Sequence, residues 1–242
     1  GSSWISNEKT SAVAYKLGDT YSYRYEDTTP TYATDILAKL VKEQNKTAIS
    51  SYVWEDTLDV GLTYIPNSMQ IDVGGKDFTS KFADSSNGQN IKFSAKTTAL
   101  SDTSFYGKKV TVTFKVKIKD ASYSWLGHER TVDNKYRLIP NAAKRSMTYL
   151  KKLAYDEKKE VYTVTDSDYG SASQNTSTVW SKVPIGDPDN PDPDPKKTVS
   201  DEDEKNVLNN TLTNADETFT YTVSKEIEKN MPSTAKYSKV VI

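Results

Sequence analysis

The chain has 242 residues, with 32 Lys and Arg against 33 Asp and Glu, a single His and no Cys. Its length exceeds one modal domain of about 100–150 residues and falls short of two comfortable ones. A net charge of −1 with scattered cations gives nucleic acid no basic stripe to bind, the missing Cys exclude a disulfide framework, and no stretch approaches the ~20 apolar residues of a membrane span.

From Lys9 to Tyr25 the pattern alternates. Val13, Tyr15, Leu17, Tyr21, Tyr23 and Tyr25 share one parity, opposite Ala14, Lys16, Thr20, Ser22 and Arg24. This predicts two strands, or one bent strand, broken at Gly18-Asp19 with its aromatic face inward. Residues 34–44 change period. Ile36, Leu37, Leu40 and Val41 make a helical stripe that Thr34 or Asp35 is placed to cap. Alternation returns in Tyr52–Leu58 and in Leu62–Ile65, which ends at the turn signal Pro66-Asn67. Ile71–Val73 leads into Gly74-Gly75 as half of a hairpin, and Ile91–Phe93 follows. The clearest strand is Val110–Ile118, where Val110, Val112, Phe114, Val116 and Ile118 alternate with Thr and Lys. Tyr136–Ala143, Val161–Thr165 and Thr178–Val183 read as further strands. Many short strands and one good helix predict a mainly β fold, an antiparallel sandwich with a short helical insertion.

Residues 186–195, Gly-Asp-Pro-Asp-Asn-Pro-Asp-Pro-Asp-Pro, mark a boundary. Repeated Pro forbids helix or inner strand and favours an extended, semi-rigid spacer. Calcium held by Asp187, Asp189, Asp192 and Asp194 is the less favoured reading of the same residues. The domains expected are 4–185 for the sandwich, 186–195 for the linker, and 196–242 for the first part of a second β-domain. Those last 47 residues cannot bury a core alone. Gly1-Ser2-Ser3 reads as a tag remnant, with no signal peptide after it and the chain a piece of a longer protein.

Most enzymatic readings lack parts. His128, in Gly127-His128-Glu129-Arg130, reads as an exposed turn residue and leaves no second His for a metal site. No P-loop, dinucleotide fingerprint, nucleophile elbow or zincin motif occurs. Asp166-Ser167-Asp168-Tyr169-Gly170 faintly suggests a calcium loop, but Ser177 stands where an EF-hand has its bidentate Glu. Glu55 and Asp56 are neighbours on a strand and point to opposite faces, so they cannot flank one glycosidic bond. The reading calls for no cofactor and no metal.

Three segments belong together: Leu17-Gly18-Asp19-Thr20-Tyr21-Ser22-Tyr23-Arg24-Tyr25; Val53-Trp54-Glu55-Asp56-Thr57-Leu58-Asp59-Val60-Gly61-Leu62-Thr63-Tyr64-Ile65-Pro66-Asn67-Ser68; and Ile139-Pro140-Asn141-Ala142-Ala143. In this order they resemble the isopeptide-forming domains of Gram-positive cell-wall-anchored pilins and adhesins, the fimbrial D2 or collagen-adhesin A-type module. That family reads roughly Gly-Asp-Thr-x-x-Tyr, then Asp-Thr-Leu-Pro-x-Gly-Leu-Thr-Tyr-x-Pro-x-Ser, then Asn-x-Ala, and Asp59 here stands where Pro is usual. The resemblance spans about residues 9–185 and restarts at Lys197-Thr198-Val199 and Thr218–Val223.

The resemblance implies an Ig-like sandwich that links a first-strand Lys to a late Asn with the help of a buried acid. By motif the acid is Asp56 and the acceptor Asn141, with Asn175 as the alternative. Parity favours Lys9 over Lys16 as the nucleophile, and Lys197 is the corresponding lysine of the second domain. An aromatic wall of Tyr21, Tyr23 and Trp54 is expected to supply the low dielectric. The function implied is a stalk or repeat module, extracellular and wall-anchored, with neighbouring β-domains of the same chain as its partners. Two other functions stay open: an adhesin domain touching host protein or glycan through residues 34–44 or Trp125-Leu126, and an accessory domain of a secreted carbohydrate-active enzyme.

Overall fold

Alternating apolar residues build the longest strand, Lys109–Ile118, because Val110, Val112, Phe114, Val116 and Ile118 are all buried while the residues between them face outward. The computed structural model describes residues 9–185, together with the backbone of residues 196–201 and 219–224. In chain order the elements are β1 (Val13–Ala14), β2 (Thr20–Thr28), α1 (Thr34–Gln44), β3 (Ile49–Thr57), β4 (Leu62–Tyr64), β5 (Gln70–Val73), β6 (Lys76–Asp77), β7 (Phe82–Asp84) and β8 (Asn90–Ala95). They continue with α2 (Thr97–Leu100), β9 (Lys109–Ile118), β10 (Tyr136–Asn141), β11 (Ala143–Leu150), β12 (Ala154–Asp156), β13 (Val161–Thr163), β14 (Tyr169–Asn175) and β15 (Val179–Pro184).

The strands form two five-stranded sheets, one ordered β14-β11-β3-β8-β7 and one running through β2, β9, β5 and β6 with β4 also on β9. A third sheet, β1-β15-β10, holds the ends of the domain, and β12-β13 is a separate hairpin. Among the described residues every strand pairing is antiparallel except that of β1 with β15. The inner faces of the large sheets meet through aromatic rings. Tyr25 of β2 stacks on Trp54 of β3 at 5.2 Å, and Phe114 of β9 meets Phe93 of β8 edge-on at 5.6 Å. A mainly β, antiparallel fold is what the periodicity predicts.

Helix α1 occupies 34–44, but of the stripe Ile36, Leu37, Leu40 and Val41 only Leu37 and Leu40 are buried, with Ile36 half-buried and Val41 exposed. Its N-cap is Ala33 rather than Thr34 or Asp35, and no side chain caps it. The helix ends instead through Asn45 in the left-handed region, whose N–H and that of Lys46 bond back to Val41 and Leu40. The expected strand Tyr136–Ala143 is two strands. Asn141 pairs with Val179 in the small sheet, and Ala143 pairs with Asp56 in a large one. The inward set Ile139, Asn141, Ala143, Arg145 and Met147 runs through this corner without a break, so parity carries no sign that the chain changes sheets.

The chain divides into two units, residues 1–184 and 185–242. In the second, β16 (Lys196–Asp201) pairs antiparallel with β17 (Phe219–Ser224). Lys197 lies opposite Val223 there. The proposed linker and its Asp residues fall outside the described residues.

Candidate functional site: a buried acid, amide and phenol

Three strands from three sheets converge on one polar cluster. β3 brings Asp56, which is 4% exposed, on the inward parity of Tyr52, Trp54 and Leu58. β10 brings Asn141, 3% exposed, on the parity of Ile139. β2 brings Tyr25. Asn141 Nδ2 donates to Asp56 Oδ2 at 2.7 Å and approaches the Tyr25 hydroxyl at 3.2 Å, while that hydroxyl donates to the same carboxylate oxygen. Asp56 Oδ1 and Asn141 Oδ1 are both buried with no hydrogen-bond partner. A site with two acceptors left open in the core calls for a further donor.

Burial pushes the Asp56 carboxyl from its ordinary 3.8 to about 7, with the Asn141 hydrogen bond pulling part of the way back. The nearest charges along the same inward faces, Arg145 and Asp27, pair with each other at 2.9 Å. Tyr23 is itself raised by burial and by its neighbours Tyr21 and Asp56. The aromatic wall is therefore wider than Tyr21, Tyr23 and Trp54, because Tyr25 both stacks on Trp54 and bonds the acid. The parity Tyr25 shares with Tyr21 and Tyr23 marks it as inward but not as a polar partner. A surface cleft of about 470 Å³ lies on the outer side of the sheet at β3, β8 and β11, where Glu55, Thr57, Lys92 and Lys144 line it beside Asp56 and Ala143.

Lys9 is not with them. Residues Thr10 and Ser11 form a turn, so alternation does not carry from Val13 back to position 9. Lys9 is exposed, pairs with Glu129 and lies over the Trp180 ring at 4.7 Å. Trp180 pairs with Pro140, one residue out of step with Asn141, so this is the far face of the small sheet. Lys16 is exposed as well, its backbone N–H bonding Asp19. Asn175 is exposed at the end of β14, opposite Lys144.

Two other sequence readings look different in three dimensions. His128 is not an exposed turn residue: its side chain is 7% exposed, with Nε2 2.7 Å from Asp59 Oδ1 and Nδ1 3.2 Å from the Trp125 carbonyl. The Asp59 hydrogen bond raises its pKa against the opposing effect of burial. Trp125 is buried, and a Cβ on Gly61 would lie 2.4 Å from its ring, so Gly is required there. Leu126 beside it is exposed. Residues 166–168 form a single 3₁₀ turn closed by a reciprocal Thr165–Asp168 capping box.

No protein-family model matches the sequence, and no curated protein matches it. Solved structures do. The D2 and D3 domains of the major pilin SpaD from Corynebacterium diphtheriae match with 15% identity over 77% of this chain and 50% of that one, at a TM-score of 0.45. The major pilin BcpA of Bacillus cereus matches with 15% identity over 88% and 51%, at 0.44. The N-terminal domain of the Streptococcus gordonii adhesin Sgo0707 matches with 16% identity over 69% and 29%, at 0.42. The chain thus spans about half, or less, of the structures it is similar to, and its structural neighbours are pilins and an adhesin domain of Gram-positive bacteria.

Proposed function

We propose that residues 9–185 are a load-bearing stalk module of a Gram-positive surface adhesin or pilin, closed by a self-made amide between Lys9 and Asn141, and that residues 196–242 begin a like module with Lys197 in the corresponding place. The observation that carries the reading is the sealed contact between Asp56 and Asn141, an acid with its pKa raised to about 7 held on the amide it would activate. The two open acceptors beside it are what an incoming lysine amine would satisfy.

For this reaction Lys9 has to leave Glu129 and Trp180. Val13 pairs with Ser181, so continuing β1 toward the N-terminus along β15 sets Ser11 level with Val179 and Asn141. Lys9 then falls on the same inward face, two residues further along. Removed from water there, an amine favours its uncharged, nucleophilic form. A half-turn of the Asn141 amide exchanges its oxygen and nitrogen, so that protonated Asp56 donates to the carbonyl oxygen. The Nζ lone pair attacks Cγ and the new C–N bond forms. The Cγ–Nδ2 bond breaks, and Nδ2 departs as ammonia, carrying the proton that Asp56 relays from Nζ. Asp56 ends as it began. The event occurs once per chain, so this is a crosslink without turnover.

Peptide mapping tests the assignment. A proteolytic digest should return a branched peptide joining the segment around Lys9 to that around Asn141. Separate peptides with both residues unmodified would sink it, and a branch from Lys16 would move the nucleophile.

A further inference from the structure

The edges of the sheets are protected unequally among the described residues. β1 and β6 are two residues long, and β7 is three with a terminal Asp84. β2 carries Arg24, Glu26 and Asp27, and β10 carries Arg137 and Pro140. Short length, charge and Pro are the devices that stop an edge from recruiting another strand. β14 has none of them. It runs Tyr-Gly-Ser-Ala-Ser-Gln-Asn in unbroken register along β11, and no charged residue or Pro occurs from Tyr169 to Ser181. These 13 residues are the longest uncharged run in a chain that is 27% charged.

The phase of its hydrogen bonds is fixed at both ends. Lys151 N–H donates to the Asp168 carbonyl at one end, and Thr176 N–H to the Ala143 carbonyl at the other. Antiparallel ladders alternate, so Gly170, Ala172 and Gln174 bond inward to β11 while Ser171, Ser173 and Asn175 aim their N–H and C=O outward. Those three residues are exposed, and no described group bonds their backbone.

We propose that β14 is a docking edge for β14 of a second copy of this chain, paired antiparallel about a two-fold axis at Ser173. The occupant follows from self-complementarity. In that register Ser173 faces Ser173, and Ser171 faces Asn175 of the other copy, so every outward N–H and C=O of the three residues meets a partner. No charge faces a like charge, because Asp168 falls opposite Thr178. The joined sheet runs continuously through both copies. This inference stands apart from the crosslink and uses none of its residues.

Sedimentation velocity of the whole chain from micromolar to near-millimolar concentration, read with amide hydrogen exchange, tests it. The expected result is a reversible dimer in which the Ser171, Ser173 and Asn175 amides are slowed. Ser173→Pro removes only an outward N–H and leaves the β11 ladder intact. It should raise the dimer dissociation constant at least tenfold with an unchanged circular dichroism spectrum, and Ser173→Lys should do the same by setting like charges face to face. A monomer at every concentration, or a dimer indifferent to both substitutions, would overturn the proposal. So would slowed amides in a monomer, since the edge would then be covered by the same chain.

Discussion

Asp56 and Asp59 lie three residues apart and meet opposite surroundings. Asp56 ends a buried strand among Tyr, Trp and an amide, and its proton is held up to about pH 7 by burial. Asp59 begins the following turn, where it accepts from His128 Nε2 and the Gly61 N–H. The first site spends folding energy to keep an acid poised in the core, and the second uses an acid to hold a loop. Both His128 nitrogens face acceptors, a carboxylate and a carbonyl, which only the doubly protonated ring satisfies as a donor. A carboxylate therefore takes its role from its partners, and these two can be told apart by substitution and by pH.

The largest effect is expected from Asn141→Ala, which removes the crosslink acceptor. A covalent loop of about 130 residues restricts the unfolded chain by ~5 kcal/mol on the chain-entropy account, and thermal or chemical denaturation should show a loss of that order. Next comes pH, measured with Lys9→Ala so that no crosslink intervenes. An acid raised in the fold keeps its proton where the unfolded chain has released it. Stability should therefore be greatest below about pH 4, fall as pH rises to about 7 and level off above, by a few kcal/mol in all. Asp56→Asn should flatten that slope.

Substitutions at the second carboxylate should do less. Gly61→Ala drives a methyl into the Trp125 ring and should cost about 1–3 kcal/mol by overpacking. His128→Gln should cost on the order of 1 kcal/mol at pH 6. The raised His128 pKa gives a stabilisation present below about 6.5 and lost as pH climbs through the folded value, so wild type and variant should converge in alkaline solution. A His128→Gln loss that stays constant across this range would break the contrast with Asp56.

Much of this architecture is legible in residue order, and the misses share a cause. Alternation over Val110–Ile118 and the stripe of Leu37 and Leu40 report burial directly, so the strand and helix were readable. The inward parity of Asp56 and Asn141 was readable too, and it brings the two together. Parity says which face a residue takes but not which sheet, so the corner at Ala142 and the whole of β11 went unseen. β14 is built from Gly, Ser, Ala, Gln and Asn, whose strand comes from pairing with β11 rather than from propensity. Alternation from Val13 back to Lys9 crosses the turn at Thr10 and Ser11, and the hydroxyl partner of Tyr25 lies on another strand, so parity alone fixes neither. The local pattern around His128 signals an exposed turn because its partner Asp59 is far away in sequence.

The claim on which the account turns is that the module performs one reaction on itself. The intact mass of the folded chain, measured beside Lys9→Ala and Asn141→Ala, tests it most directly. A completed crosslink gives a wild-type mass one ammonia below that calculated from the sequence, with each variant at its full calculated mass. A wild-type chain at full mass would contradict it.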